Sequence, residues 1–227
     1  MTTLPFLDGE HVRHGELPVE ISMEPVVAGT PVAYETVVAD DADGFFAVWA
    51  CDAGVYPRVK DRRGSFMYIL EGDATITDQD GVTHELSADS VLVLPYGWAG
   101  QWDIRTTIRK VYLHSTPVPP FRAGVRPSAF LSAGGVLGAG RAVVFDGPDG
   151  TCVVHDVPVG DHRVSPDGRA RFLYVMSGTG AAESDDGTGR PLAAGDVLAL
   201  PGGWSGVLTV TTPMRRFEVL SFRGENR

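Results

Sequence analysis

Residues 90–115 read SVLVLPYGWAGQWDIRTTIRKVYLHS, and residues 196–221 read DVLALPGGWSGVLTVTTPMRRFEVLS. The two stretches align without a gap at a spacing of 106 residues, and the alignment extends back to about Val37. Its matches fall on residues that shape a backbone. Gly44, Gly72, Gly81, Pro95, Gly97 and Trp98 recur as Gly150, Gly178, Gly187, Pro201, Gly203 and Trp204, and Arg109 recurs as Arg215. A repeat of this length is no solenoid unit; it is long enough to close its own core, so two copies of one domain are fused. The expected domains are residues 1–117 and 118–227, with residues 116–120 as the linker. Residues 116–140 lack periodicity at first and then match the start of the first copy through Gly29 and Gly135.

Within each copy, short alternating segments rich in aromatic and β-branched residues are separated by turn chemistry. Strands are expected over 45–52, 65–70, 73–77 and 90–94, and again over 151–157, 171–176 and 196–200. Asp80-Gly81 and Asp186-Gly187 mark hairpins. With 16 prolines and 28 glycines spread along the chain, helices of more than two turns have little room. The fold class is all-β, with each sheet closed or sandwiched to protect its edges.

The excess of 29 acidic over 19 basic side chains gives a net charge of −10, which argues against nucleic acid and anionic membrane surfaces as partners. Only Lys60 and Lys110 are lysines, a skew that fits GC-rich bacterial coding. Cys51 and Cys152 are too few for a disulfide framework and stand in apolar segments, so buried free thiols and a cytoplasmic location are expected. The N-terminal stretch MTTLPFLDGE lacks a basic and apolar leader, and no apolar run reaches the roughly 18 residues of a membrane span.

The strings GSFMYILEGDATITDQDG and ADSVLVLPYGWAGQWDIRTTIRKVYL, echoed by RARFLYVMSGTG and AGDVLALPGGWSGVLTV, resemble the two conserved boxes of the cupins. Most similar is the branch related to the bicupin ureidoglycine aminohydrolases and the ethanolamine-utilisation cupins. The resemblance implies two tandem jelly-roll barrels, each with a pocket at one open end. It also implies pairing of barrels within or between chains, so a homodimer is among the expected assemblies.

Cupin enzymes usually hold a divalent metal with two His and a Glu from the first box and a His from the second. Carried onto this chain, those positions are Arg58, Lys60, Ser65 and Gly100 in the first copy, and Val164, Pro166, Arg171 and Gly206 in the second. None is a metal ligand, so the expected cofactor is none. An off-pattern site would have to use His155 and His162 with Asp156 or Asp161. The plainer expectation is that His155, which stands where Trp49 does, is a half-buried strand residue and His162 a loop residue. His11, His14, His84 and His114 show no ligand spacing and are expected to be exposed.

Alternation puts Tyr56, Arg58 and Lys60 on one strand face and Ser65 and Met67 on another, which the cupin register turns into the first barrel. Trp102 and Gln101, with Trp49, complete the expected binding set. They differ from Leu208, Val207 and His155 in the second copy. A buried cation needs an anionic partner, and a guanidinium fork suits a carboxylate. The alternative is that Arg58 and Lys60 belong with Arg62 and Arg63 to a solvated loop, PRVKDRRG. The second copy reads as drier, lined by Val164, Leu173, Val175, Leu208 and Val210. Its pocket is either filled, bracing the first, or a small anion site of Arg171 and His162. Trp98 and Trp204 read as packing residues.

Two functions follow. One is a pocket in the first barrel for a small anionic, carboxylate-bearing metabolite, used for binding or for metal-independent lyase, isomerase or hydrolase chemistry. The other is a metal-dependent bicupin enzyme of ureidoglycine-aminohydrolase type with non-standard ligands.

Overall fold

The computed structural model describes residues 4–115, 126–138 and 140–222. It is built of β-strands, with two short helices, Gly9–His14 and Ala133–Leu137. No helix is long and apolar enough to cross a membrane. The expected strands are found within a residue or two of their ends in the first copy, for example Gly44–Cys51, Ser65–Glu71 and Val91–Leu94. In the second copy, segments separate in the first merge into Arg169–Ser184 and Gly206–Phe222. The expected linker and domain boundary, 116–120, lie outside the described residues.

The first half holds a seven-stranded and a five-stranded antiparallel sheet; the second half is built on one eight-stranded sheet that curves through several register shifts. Gly44–Cys51 shows why the sequence reads as apolar throughout rather than alternating. One face, with Ala47, Trp49 and Cys51, lies in the core of the first barrel. The other, with Phe46 and Val48, joins a shared core that also contains Cys152, Val154, Phe172 and Phe217 from the second half. A strand buried on both faces has no polar side to show. The chain therefore pairs its two barrels with each other.

The pairing is nearly two-fold. The Phe46 and Phe172 rings meet edge to face with 5.4 Å between centroids, and the Tyr68 and Tyr174 rings at 4.7 Å. Asp43 accepts from the Gly202 amide at 3.0 Å, and the equivalent Asp149 accepts from the Tyr96 amide at 3.0 Å. Arg109 donates to the Val12 carbonyl and Arg215 to that of Val136, both at 2.8 Å. These arginines satisfy carbonyls in two short helices, which gives the recurring Arg a physical reason.

The halves also exchange strands. Phe6–Leu7 pairs with Leu198 and Val197 of the second half, and Ala129–Leu131 pairs with Val93 to Val91 of the first. Phe130 therefore takes the place of Phe6, an offset of 130 − 6 = 124 rather than 106. The match through Gly29 and Gly135 is corrected accordingly: at the offset of 124, Gly135 occupies the place of His11. An insertion of this kind sits at the outer end of the repeat, where the chain crosses between barrels.

Gly72 and Gly178 show why the spacing of 106 survives where it does. Both have left-handed φ, +91° and +90°. A Cβ on either would stand 2.4 Å from a carbonyl oxygen, of Thr107 or Pro213. Only glycine fits such a corner.

Candidate functional site

A cavity of about 170 Å³ opens into the first barrel. Of the eight binding residues expected from sequence, it is lined by Trp49, Tyr56, Arg58, Lys60, Ser65, Met67 and Trp102. Arg58 and Lys60 thus belong to the pocket rather than to a solvated loop. Gln101 does not line it. It pairs with Pro57 and Thr77 between Gly100 and Trp102, and strand alternation turns it to the opposite face from the buried Trp102.

The structure adds four polar groups: Glu35, Lys110, Tyr112 and His114. The last three alternate along the strand Ile108–His114, sharing the inward face while Arg109, Val111 and Leu113 face the other barrel. Both lysines of the chain therefore meet in one cavity, a signal that the lysine scarcity contained. Glu35 stands on Val32–Asp41, ahead of the aligned repeat, and is paired in register with Trp49. His114, expected to be exposed, is half-buried and shares a 2.7 Å hydrogen bond with Ser65 Oγ. His84 is also half-buried, stacked on Phe130. His11 and His14 are exposed.

Lys110 is buried, with its Nζ 3.9 Å from the centroid of the Trp49 ring system, 4.5 Å from Trp102 and 5.6 Å from Tyr112. Met67 Sδ lies 3.3 Å from the same nitrogen. Burial, reinforced by Lys60 and Arg58, holds its pKa well below the usual lysine range. Lys60 is lowered to about 8 by burial and by Arg58. Burial and the two lysines likewise keep the His114 imidazole neutral. Arg58 donates to the Glu24 carbonyl at 3.1 Å and reaches Met23 Sδ at 3.2 Å, with Tyr56 beneath it at 4.9 Å. Glu35 accepts a hydrogen bond from the Tyr112 hydroxyl, and burial pushes its pKa up.

Among the described residues, no carboxylate forms an ion pair with Arg58, Lys60 or Lys110. Three basic side chains share a small cavity with one acid that is already held by a phenol. The cavity therefore holds more basic than acidic side chains, and burial bears on the charge of each.

The second barrel answers the same problem internally. Glu218, 2% exposed, lies within 2.9 Å of Arg216 and 2.7 Å of His155, and 3.2 Å from Arg171. Burial alone would raise its pKa, but Arg216 and His155, then Arg171, outweigh this and hold it at about 2. Arg171 also reaches Asp167 at 3.1 Å. His162 is engaged elsewhere, with the Pro158 carbonyl at 2.8 Å. Arg171 and His162 therefore make no joint anion site. A depression of about 320 Å³ beside Trp204 is lined by Ser184, Asp185, Asp186 and Pro201 with no basic group.

The residues at the usual metal positions do not fit a metal. Three, Arg58, Lys60 and Arg171, are basic, and a Cβ on Gly100 would lie 2.4 Å from the Trp98 ring, so that position admits no histidine. For the off-pattern set, Asp156 pairs with Arg215 and Asp161 accepts from Thr209. Among the described residues, no group of three or more His, Cys, Asp or Glu is placed to hold an ion.

Residues 40–112 match the family model described as a EutQ-like cupin domain. No curated protein matches the chain. Among solved structures, similarity extends to a DUF861-family protein of unknown function from Pseudomonas syringae pv. tomato. That match has a TM-score of 0.64 and 13% identity over 82% of this chain and 85% of the other. A cupin 2 conserved barrel domain protein from Leptotrichia buccalis matches at TM-score 0.59 and 10% identity, over 88% and 100% of the two chains. Salicylate 1,2-dioxygenase from Pseudoaminobacter salicylatoxidans matches at TM-score 0.59 and 13% identity, over 83% and 76%. At these identities the likeness establishes the cupin fold and nothing finer.

Proposed function

We propose that the first barrel binds a small carboxylate-bearing metabolite. The observation that carries this is the convergence of Arg58, Lys60 and Lys110 on a cavity whose one carboxylate, Glu35, is held by Tyr112. Arg58 offers the planar fork for the carboxylate, Lys60 a second charge, and Trp49, Trp102 and Met67 an apolar bed for the rest. Ser65 and His114 supply a hydrogen-bonded polar pair in the same lining. A cavity of about 170 Å³ admits a molecule of only a few heavy atoms beyond its carboxylate.

Small carboxylates should raise the melting temperature of the protein, since a ligand bound only by the folded state stabilises it. Methyl esters of the same acids should do so far less, because the desolvated guanidinium then lacks its counter-charge. Arg58→Ala should remove the shift while leaving the fold intact. A shift that survives both Arg58→Ala and Lys60→Ala would remove the cationic pocket as its source.

A further inference from the structure

We infer that Lys110 is a carbonyl-condensing nucleophile, and that the carboxylate ligand of the first barrel is a 2-oxo or 3-oxo acid whose carbonyl is delivered to the Lys110 amine. This rests on the reading of that barrel as a carboxylate pocket and adds the chemistry of its inner end. Arg58 and Lys60 lie on or just beyond the strand Gly54–Val59, whereas Lys110 lies on Ile108–His114 in the opposing sheet. A small acid anchored at the first pair extends its remaining carbons toward the second sheet, where Lys110 waits among Trp49, Trp102 and Met67.

A structural lysine in a core normally finds a carboxylate partner, and Lys110 has none within ion-pair distance among the described residues. The aromatic faces favour its ammonium form. Burial and the two neighbouring cations act the other way, and burial alone shifts lysines by up to about 3–5 pKa units. A neutral amine in a desolvated site beside other cations is the arrangement that activates lysine toward carbonyls. A proton-exchanging pair is also at hand: Tyr112, the next inward residue on the same strand, donates to Glu35, whose carboxyl is held above its usual range by burial.

The step balances without a redox partner. The Lys110 lone pair attacks the carbonyl carbon, forming the C–N bond as the carbonyl π pair moves to oxygen, which takes up a proton. Loss of one proton from nitrogen and of the protonated hydroxyl as water, with formation of C=N, leaves an iminium, and loss of the second nitrogen proton gives the imine. The Tyr112–Glu35 pair is placed to supply the proton that the departing hydroxyl needs, and to recover one from nitrogen.

The test is reductive trapping on the full chain with pyruvate and with acetoacetate as probes, followed by intact-mass measurement and peptide mapping. Expected is a single borohydride-dependent adduct on Lys110, heavier by the oxo acid less water plus two hydrogens. It should be suppressed by propionate, which binds as a carboxylate but has no ketone. Arg58→Ala should reduce the adduct, and Lys110→Arg should abolish it while keeping the charge. Mapping on the unaltered chain decides the matter even where Lys110→Arg fails to fold. An adduct on Lys60, or none with either probe while propionate still raises the melting temperature, overturns the nucleophile and leaves the carboxylate pocket standing. Absence of both adduct and thermal shift overturns both.

Discussion

Tyr112 and Glu218 occupy the same place in their two barrels, each paired in register with equivalent neighbours, Ala47 and Met67 in one and Val153 and Leu173 in the other. Tyr112 donates to Glu35 and leaves the basic groups of its barrel unpaired; Glu218 accepts from Arg216, His155 and Arg171 and neutralises its own. The same exchange runs through Lys110 and Arg216, and through Trp49 and His155. Among the described residues, the cationic groups of the first cavity thereby keep no ion-pair partner, and the second barrel carries a carboxylate of its own.

Glu218→Gln should therefore destabilise the protein by about 3–5 kcal/mol in denaturant titrations, because it strands the buried Arg216 guanidinium and keeps its desolvation cost. The loss should appear without any change in the response of the first barrel to carboxylates.

The pH dependence of stability has a definite sign at the same residue. The Glu218 pKa is depressed to about 2 in the folded state, so its stabilisation is present above the ordinary carboxylate pKa of about 4.3 and is lost as pH falls from there through about 2. Linkage over that interval is worth about 3 kcal/mol. Melting temperatures measured between pH 5 and about 2 should fall in the parent chain and fall less in Glu218→Gln.

Binding in the first barrel should weaken as pH rises through about 8, where Lys60 gives up its proton. The titratable and charged groups around it are Arg58, Asp61, Lys110 and His114. Titration calorimetry with propionate at pH 6.5 and pH 9 measures the change. Lys60→Met should bind more weakly at pH 6.5 and lose most of the pH dependence; an unchanged profile would assign the titration elsewhere.

Trp102→Leu should cost about 2–4 kcal/mol, within the range of large-to-small core changes, and should weaken carboxylate binding by widening the inner end of the cavity. Gln101→Val, on the other face of that strand, should change stability by no more than about 0.5 kcal/mol and leave binding alone. A loss of binding in Gln101→Val would contradict the strand register.

Treatment with a strong chelator should leave the melting temperature unchanged, because Arg58, Lys60, Ser65 and Gly100 offer no ligand set for an ion to stabilise. Stoichiometric metal in the purified protein, measured by mass spectrometry, would overturn this expectation.

Phe172→Ala should cost about 3–5 kcal/mol and split unfolding into two transitions, since that ring belongs to the core shared by the barrels and meets Phe46 at 5.4 Å. Differential scanning calorimetry distinguishes the loosened pair from a uniform loss.

The repeat, the all-β class and seven of the eight expected pocket residues were legible in the sequence because each leaves a local mark. Glycines at left-handed corners such as Gly72 and Gly178 are kept by steric necessity, and the two-residue strand period fixes which side chains share a face. The same period excluded Gln101 once Trp102 was placed inward. Glu35, Lys110, Tyr112 and His114 left no such mark, since their meeting depends on pairings between strands distant in sequence, Lys110 with Trp49 and Glu35 with Trp49. The exchange of Phe6–Leu7 and Ala129–Leu131 between halves escaped for a related reason: both faces of the central strands are apolar, and hydropathy cannot say which face meets the barrel's own core and which meets its twin. Sequence periodicity determined the inward and outward sides of each strand; only the tertiary packing decided which inward sides converge, and so which basic side chains share the cavity of the first barrel.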